Sequence, residues 1–177
     1  MHNFVWTGIR NVSILLAALL LAQPVTSIAD ETSADSTKLE RLTAMTVYKT
    51  PTCGCCGKWV DHIEDAGFDV EVREMDNLSP IKNANGLPPT HQSCHTAIAK
   101  DGGYVFEGHI PARYIKAFLA DPPAGARGLV VPAMPVGSPG MEYQDRFSPY
   151  EVLLLKEDGG FDVYARVTGP EDSAGQH

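Results

Sequence analysis

Three cysteines fall within one four-residue window of this chain, at Cys53, Cys55 and Cys56. The fourth and last cysteine, Cys94, is followed directly by His95. Crowding its thiols in this way does not help a small domain to fold, because adjacent cysteines cannot easily pair with each other. Soft metals and thiol redox chemistry both require several sulfurs in one place. The cluster therefore indicates a functional site.

The N-terminus has the pattern of an export signal. Arg10 is the only formal side-chain charge before Asp30, and an apolar run over 12–22 precedes small residues that favour cleavage after Ala29. We predict a cleaved signal, with an uncleaved membrane anchor as the alternative, and a mature protein in the periplasm. The predicted organisation is a signal peptide over 1–29, a flexible tether over 30–42, one metal-binding domain over 43–168 and a disordered tail over 169–177.

Charge and cysteine spacing exclude some roles. The formal net charge is −8 at pH 7 and no run is rich in Lys and Arg, so we expect no nucleic-acid partner. In an oxidising compartment, four cysteines would ordinarily predict two stabilising disulfides. A link between Cys53 and Cys56 would close only a tiny loop, and one between Cys55 and Cys56 would be strained. The spacing therefore argues against structural disulfides.

Hydrophobic periodicity predicts the elements around the cysteines. A strand over 43–48 leads into the cysteine turn, and a helix follows from about residue 55 or 57 to residue 66. The residues from 121 to 150 are rich in Pro and Gly and carry two methionines, which predicts a long packed loop. The other predicted elements are a strand over 68–73, a short helix from Ser79, as its cap, to about 86, a hairpin of 96–99 and 104–107, a helix from Pro111, and a closing hairpin of 152–155 and 161–165.

This order of strands and helices is that of thioredoxin, with the cysteines at the first strand-to-helix turn. We therefore predict an α/β, thioredoxin-like fold with a central mixed sheet flanked by helices, a long Pro/Gly/Met loop and a C-terminal hairpin. In such a fold the residues just before the third strand pack against the cysteine turn. Cys94 and His95 would then lie beside the three clustered thiols.

The residue types at this turn favour copper. A helix N-terminus favours thiolate over thiol, and Cu(I) prefers thiolates at low coordination number, with bridging thiolates able to hold more than one ion. Zinc is less suitable, since its loops usually carry paired ligands and here three crowd one turn. Cys53 and Cys56 have the spacing of a redox pair, yet Cys55 inside that gap is better explained as an additional or bridging ligand. Met134 and Met141 could add thioethers, with packing of the loop as the alternative.

The histidines are ranked by position. His95 is adjacent to a cysteine, and a backbone hydrogen bond is the alternative role for it. His91 is a secondary candidate, three residues before Cys94. His109 is expected to cap the third helix or to contact solvent, and His62 to be exposed. Trp59 is expected to shield the cluster as part of the core.

Four segments together resemble the CopG-type copper-resistance family, which was long described as a domain of unknown function. They are the cysteine segment 47–59, Ser-Cys-His-Thr-Ala at 93–97, Gly-His-Ile-Pro at 108–111 and Met-Pro-Val-Gly-Ser-Pro-Gly-Met at 134–141. The resemblance extends from about Met45 to Ala165. It implies an exported, thioredoxin-like protein that binds copper in copper tolerance. The family's cysteines correspond to Cys53, Cys55, Cys56 and Cys94.

We therefore expect a metal-binding protein of the periplasm rather than an enzyme. It would hold Cu(I) and either sequester or transfer the ion, and coupling of this binding to redox change is left open. Its expected partners are metal ions and other periplasmic copper-handling proteins, with membrane contact only through an uncleaved signal. The predicted ligands are Cys53, Cys55, Cys56, Cys94, His95, Met134 and Met141. The alternatives are a thiol–disulfide oxidoreductase that uses Cys53 and Cys56, and an adaptor module in which the cluster is incidental.

Overall fold

The computed structural model describes residues 43–173, which form a mixed seven-stranded sheet with four helices, an α/β architecture. The strands are β1 (Ala44–Lys49), β2 (Asp69–Glu74), β3 (Thr96–Ala99), β4 (Val105–Glu107), β5 (Ala126–Val130), β6 (Tyr150–Lys156) and β7 (Phe161–Val167). The helices are α1 (Gly54–Asp65), α2 (Ser79–Ala84), α3 (Ala112–Ala120) and α4 (Pro170–Ser173), and a 3₁₀ turn spans Pro89–His91. The predicted signal peptide, 1–29, and tether, 30–42, lie outside the described residues.

The sheet topology brings the two cysteine-bearing segments to one edge. The strand order is β2-β1-β3-β4-β5-β6-β7. β1 is parallel to β2 and antiparallel to β3, and Tyr48 near the end of β1 pairs with Thr96 at the start of β3. The turn that follows β1 and the segment that precedes β3 therefore leave the sheet at the same edge.

Helix α1 forms because its apolar residues recur on one face and its C-terminus is capped. Cys56, Trp59, Val60 and Ile63 are buried, at the spacing expected of a helix that packs one face on a sheet. Gly67 takes a positive φ of 88° just past the helix. The backbone N–H groups of residues 67 and 68 then bond back to the carbonyls of residues 64 and 63, which is the Schellman arrangement.

Strand β5 was not predicted, because it lies within the segment that was expected to be a long loop. The segment Ala-Arg-Gly-Leu-Val lacks the alternation of a half-buried strand and is interrupted by Gly128. In the fold, β5 pairs in parallel with β4, and a β-carbon at Gly128 would overlap the carbonyl oxygen of Val105. The glycine therefore permits a close approach of two strands, and the irregular loop is confined to 131–149.

Two local expectations differ from the structure. The N-cap of α2 is Leu78, not Ser79, and the Asn77 side-chain oxygen accepts the Ser79 N–H at 2.9 Å. The predicted disordered tail contains helix α4, where Asp172 accepts a hydrogen bond from Arg113 at 3.1 Å. Residues 174–177 of that tail lie outside the described residues. Between residues 43 and 173, no helix has the length and apolar character needed to span a bilayer.

Candidate metal centre

Four cysteine sulfurs converge at the edge of the sheet where β1 ends and β3 begins. The Sγ atoms of Cys53, Cys55, Cys56 and Cys94 all lie within 4.8 Å of one another. Cys53 is the N-cap of α1, and Cys55 and Cys56 lie in its first turn. Cys94 lies two residues before β3. The predicted approach of the distal cysteine to the cluster is confirmed.

Two of these sulfurs are bonded to each other. Cys53 and Cys56 form a disulfide with their Cα atoms 5.3 Å apart, while Cys55 and Cys94 are free thiols. The Sγ atoms of Cys53 and Cys55 are 3.6 Å apart, and since Cys53 has no proton, the Cys55 thiol is the donor. A disulfide across so short a loop restrains the unfolded chain little. It is the pair that the oxidoreductase alternative requires.

Cys94 is held as a neutral thiol when no cation is bound. Burial, with a further contribution from the neighbouring Cys55, raises the pKa of Cys94 to about 12. A metal ligated by this sulfur would have to displace its proton, because the thiolate is the form that binds metals.

His109 lies in the site, although the sequence predicts that it caps the third helix or contacts solvent. It is fully buried, the N-cap of α3 is Pro111 with no side-chain cap bond, and His109 Nε2 lies 2.9 Å from Cys94 Sγ. Its Nδ1 lies 2.7 Å from the Pro139 carbonyl oxygen, which can only accept, so Nδ1 carries the proton. In the neutral ring, Nε2 then presents a lone pair to Cys94. The available signal was the Gly-His-Ile-Pro segment at 108–111, which belongs to the resemblance.

His95 is a buried neighbour of Cys94. It is fully buried, its Nδ1 lies 3.5 Å from Cys94 Sγ, and its ring centroid is 4.2 Å from that of Trp59. Burial, together with His109 and Lys82, holds the pKa of His95 well below its usual value. Within the described part of the chain, His95 Nε2 has no hydrogen-bond partner. Cys94, His95 and His109 thus form a second group whose ligand atoms all lie within 4.8 Å of one another.

The other histidines lie elsewhere. His62 was expected to be exposed, but it is half-buried and its Nε2 accepts the Ala112 N–H at 3.1 Å. His91, the secondary candidate, stacks on Phe161 with ring centroids 3.8 Å apart. It belongs to neither ligand group found among residues 43–173. Trp59 is fully buried, and its Nε1 donates to the Ile110 carbonyl.

The methionine-bearing loop packs on the cysteine turn through its backbone. A β-carbon at Gly140 would lie 2.5 Å from the Cys55 carbonyl oxygen, and the preceding Pro139 accepts the His109 hydrogen bond. Met134 is 48% exposed and Met141 is half-buried. A role for either thioether as a ligand stays a prediction.

Comparison with known proteins finds a matching family model and two similar solved structures. Residues 91–141 match a family model described as a protein of unknown function, DUF411. Two solved structures, both named copper resistance protein CopG, in form 1 and form 2, share 39% and 38% sequence identity with the chain, each with a TM-score of 0.66. Each alignment covers 71% of this chain and 98% of the solved one. No curated protein matches the chain.

Proposed function

This chain belongs to the CopG copper-resistance family, and from that premise we propose that it binds copper as Cu(I) through Cys53, Cys55, Cys56 and Cys94. Family membership and the cysteine cluster support a copper-related metal-binding role. The observation that carries the proposal is the convergence of four Sγ atoms within 4.8 Å. The protein would sequester or transfer copper in the periplasm, as part of copper tolerance. The export-signal pattern over 1–29 supports that location.

The donor set favours Cu(I) over zinc. Thiolates and imidazoles are ligands that both ions accept, but Cu(I) is the softer ion and needs fewer ligands. Four sulfurs, with His95 Nδ1 and His109 Nε2 close to Cys94 Sγ, exceed what a single Cu(I) at low coordination number requires. This surplus supports more than one ion, held by bridging thiolates. Met134 and Met141 remain proposed additional ligands.

Copper binding to all four sulfurs requires that the disulfide first be reduced. A dithiol reductant would supply two electrons, breaking the Cys53–Cys56 bond and leaving two thiols while the reductant becomes a disulfide. The thiols then release protons as they ligate the metal. Copper uptake is therefore expected to depend on thiol redox state and on pH.

We also propose that the core of the fold is thioredoxin-like. The strand order β2-β1-β3-β4, with β1 parallel to β2 and with helices α1, α2 and α3 in their positions along the chain, supports this assignment. Strands β5 to β7 would then be an extension of that core. The cysteine turn between β1 and α1 and the segment before β3 occupy the positions expected of the reactive site in such a fold.

Anaerobic titration of the fully reduced protein with Cu(I), against a chromophoric chelator, tests the metal proposal. We expect tight binding of more than one equivalent. The Cys55→Ser/Cys94→Ser double variant should lose at least about a hundredfold in affinity, because two of the soft ligands are gone. The single variants are the matched controls and should show intermediate losses. Tight binding that survives the double substitution would end the proposal.

A thiol–disulfide oxidoreductase is the second candidate, favoured by the disulfide between Cys53 and Cys56. It predicts metal-independent reduction of disulfide substrates, with a defined reduction potential for this pair. Cys53→Ser should abolish that activity and Cys55→Ser should leave it nearly unchanged. Equal losses in the two variants would speak against this function.

A further inference from the structure

A buried ion pair lies next to the segment that carries Cys94. Lys82 Nζ of α2 is 2.5 Å from Glu107 Oε1 of β4, and the two side chains are 6% and 0% exposed. Lys82 Nζ also donates to Thr96 Oγ1 at 3.0 Å, and the Thr96 hydroxyl donates to Glu107 Oε2 at 2.7 Å. Three side chains from α2, β3 and β4 thus form one closed polar network.

The same carboxylate holds the chain on both sides of Cys94. Glu107 Oε1 accepts the backbone N–H of Ser93 at 2.6 Å, while Oε2 accepts the hydroxyl of Thr96. Between these two points, the N–H of Gly108 donates to the His95 carbonyl at 3.1 Å. The residues from 93 to 96 are therefore tied to the end of β4 at three positions, with Cys94 between the first two.

Stability alone is a poor explanation of this network. The cost of taking both charges out of water offsets most of their attraction, and an apolar pair of similar volume often serves a core as well or better. An apolar pair cannot, however, accept the Ser93 N–H. What the charged pair adds is a fixed carboxylate that accepts the backbone N–H of Ser93, the residue directly before Cys94.

We propose that Glu107, held in place by Lys82, is a positioning residue that fixes the backbone at Ser93 and so keeps Cys94 Sγ within reach of the other three sulfurs. The inference deepens the proposed function, on which its consequence for copper rests. Without the Glu107 bond, the segment before β3 keeps the hydrogen bond between Gly108 and the His95 carbonyl but loses its attachment at Ser93, and we expect the fourth sulfur to move away from the cluster.

The position of Cys94 can be measured without metal. In a Cys53→Ser/Cys56→Ser background, only the thiols of Cys55 and Cys94 remain. In a glutathione redox buffer they form an intramolecular disulfide, giving up two electrons and two protons as one glutathione disulfide becomes two glutathione molecules. The equilibrium ratio gives the effective concentration of one thiol at the other, which falls when Cys94 is displaced.

Two variants separate positioning from stability. Lys82→Met/Glu107→Leu replaces the ion pair with apolar side chains and leaves no buried charge unpaired, so the variant should still fold, with a melting temperature lowered by the lost partners of Ser93 and Thr96. Glu107→Gln keeps the shape of the side chain and removes its charge. If the double variant does not fold, this single variant tests whether Glu107 positions Cys94. Asp172→Asn is the matched control. Like Glu107, the Asp172 carboxylate accepts a backbone N–H, from Thr168 at 2.9 Å, and pairs with a cationic side chain, that of Arg113. Asp172 lies in α4, which follows β7, and not in the network that holds Ser93.

We expect the effective concentration to fall about tenfold in folded Lys82→Met/Glu107→Leu, with a smaller fall in Glu107→Gln and no change in Asp172→Asn. The same changes made in the four-cysteine protein should weaken Cu(I) binding in parallel. An unchanged effective concentration in a folded Glu107 variant overturns the inference, as does a background that forms no Cys55–Cys94 disulfide. If the parent binds no Cu(I) but the Glu107 variants still lower the effective concentration, only the proposed function fails.

Discussion

His109 shows how one imidazole is oriented by the backbone for contact with a cysteine. Its Nδ1–H donates to the Pro139 carbonyl, so the proton is on the nitrogen that points away from Cys94. Burial lowers the pKa of His109, although the Pro139 bond and the Glu142 charge act against that shift. The ring is therefore held neutral, which is the form that binds a metal or accepts a proton from a thiol.

Replacing His109 with Gln should weaken Cu(I) binding by about tenfold or more, since residues that orient or complete a metal site typically contribute that much. The measurement is competition with a chelator on reduced protein. His91→Gln is the control, because His91 stacks on Phe161 and belongs to neither ligand group of residues 43–173. Equal affinities in the two variants would contradict a role for His109.

The contact between the methionine-bearing loop and α1 depends on a residue without a side chain. Gly140 has a φ of 82°, and a β-carbon there would lie 2.5 Å from the Cys55 carbonyl oxygen and 2.9 Å from the Trp59 nitrogen. Both of these atoms belong to the backbone of a helix packed on the sheet, so they cannot easily move. Any side chain at position 140 must therefore push the loop away from the cysteine turn.

Gly140→Ala should lower the free energy of unfolding by about 2–4 kcal/mol, through backbone strain and steric overlap together. Gly67→Ala is the matched control, because Gly67 has a similar φ of 88° but its added β-carbon meets nothing within 4 Å. It should cost only about 1 kcal/mol, the strain of the left-handed conformation. Urea unfolding of both variants measures the difference. Equal losses would mean that the loop does not pack tightly on α1.

The folded molecule as a whole keeps several histidines neutral that the unfolded chain would protonate. Burial is the largest cause of the lowered pKa values of His62, His95 and His109. Below about pH 6.5, the ordinary value of a histidine, the unfolded chain therefore binds protons that the folded protein does not. The contribution of these neutral histidines to the free energy of unfolding is therefore complete above about pH 6.5 and is lost as the pH falls below it. Burial raises the pKa of Glu107 and gives it the opposite dependence.

The metal-free protein should accordingly lose stability between about pH 7 and about pH 5.5. His95→Asn should reduce the slope by up to about 1.4 kcal/mol per pH unit, the value for one proton. Urea unfolding at several pH values gives both slopes. The comparison cancels the contribution of Glu107, because both proteins carry it. A variant with the parental slope would show that His95 is not buried in the neutral form.

Features set by neighbouring residues could be predicted well. The buried face of α1, its end near Gly67 and the hairpin of β3 and β4 all follow from periodicity and turn residues. The approach of Cys94 to the other cysteines was also predicted, since it follows from the order of the elements once β1 and β3 are neighbours. Strand β5 was missed, because what defines it is a close approach to β4 and not a pattern of its own.

The sequence by itself determined which chemical groups are available, four thiols with a histidine beside one of them, and the order of elements that carries them. Only the tertiary structure decided which distant groups surround them. His109 contacts Cys94, the Pro139 carbonyl orients His109, and the Glu107 carboxylate accepts the Ser93 N–H. These partners are 14 to 30 residues apart and leave no periodic trace. The reason is physical: local pattern encodes what each segment buries, whereas the polar contacts of a site depend on how the segments pack against one another.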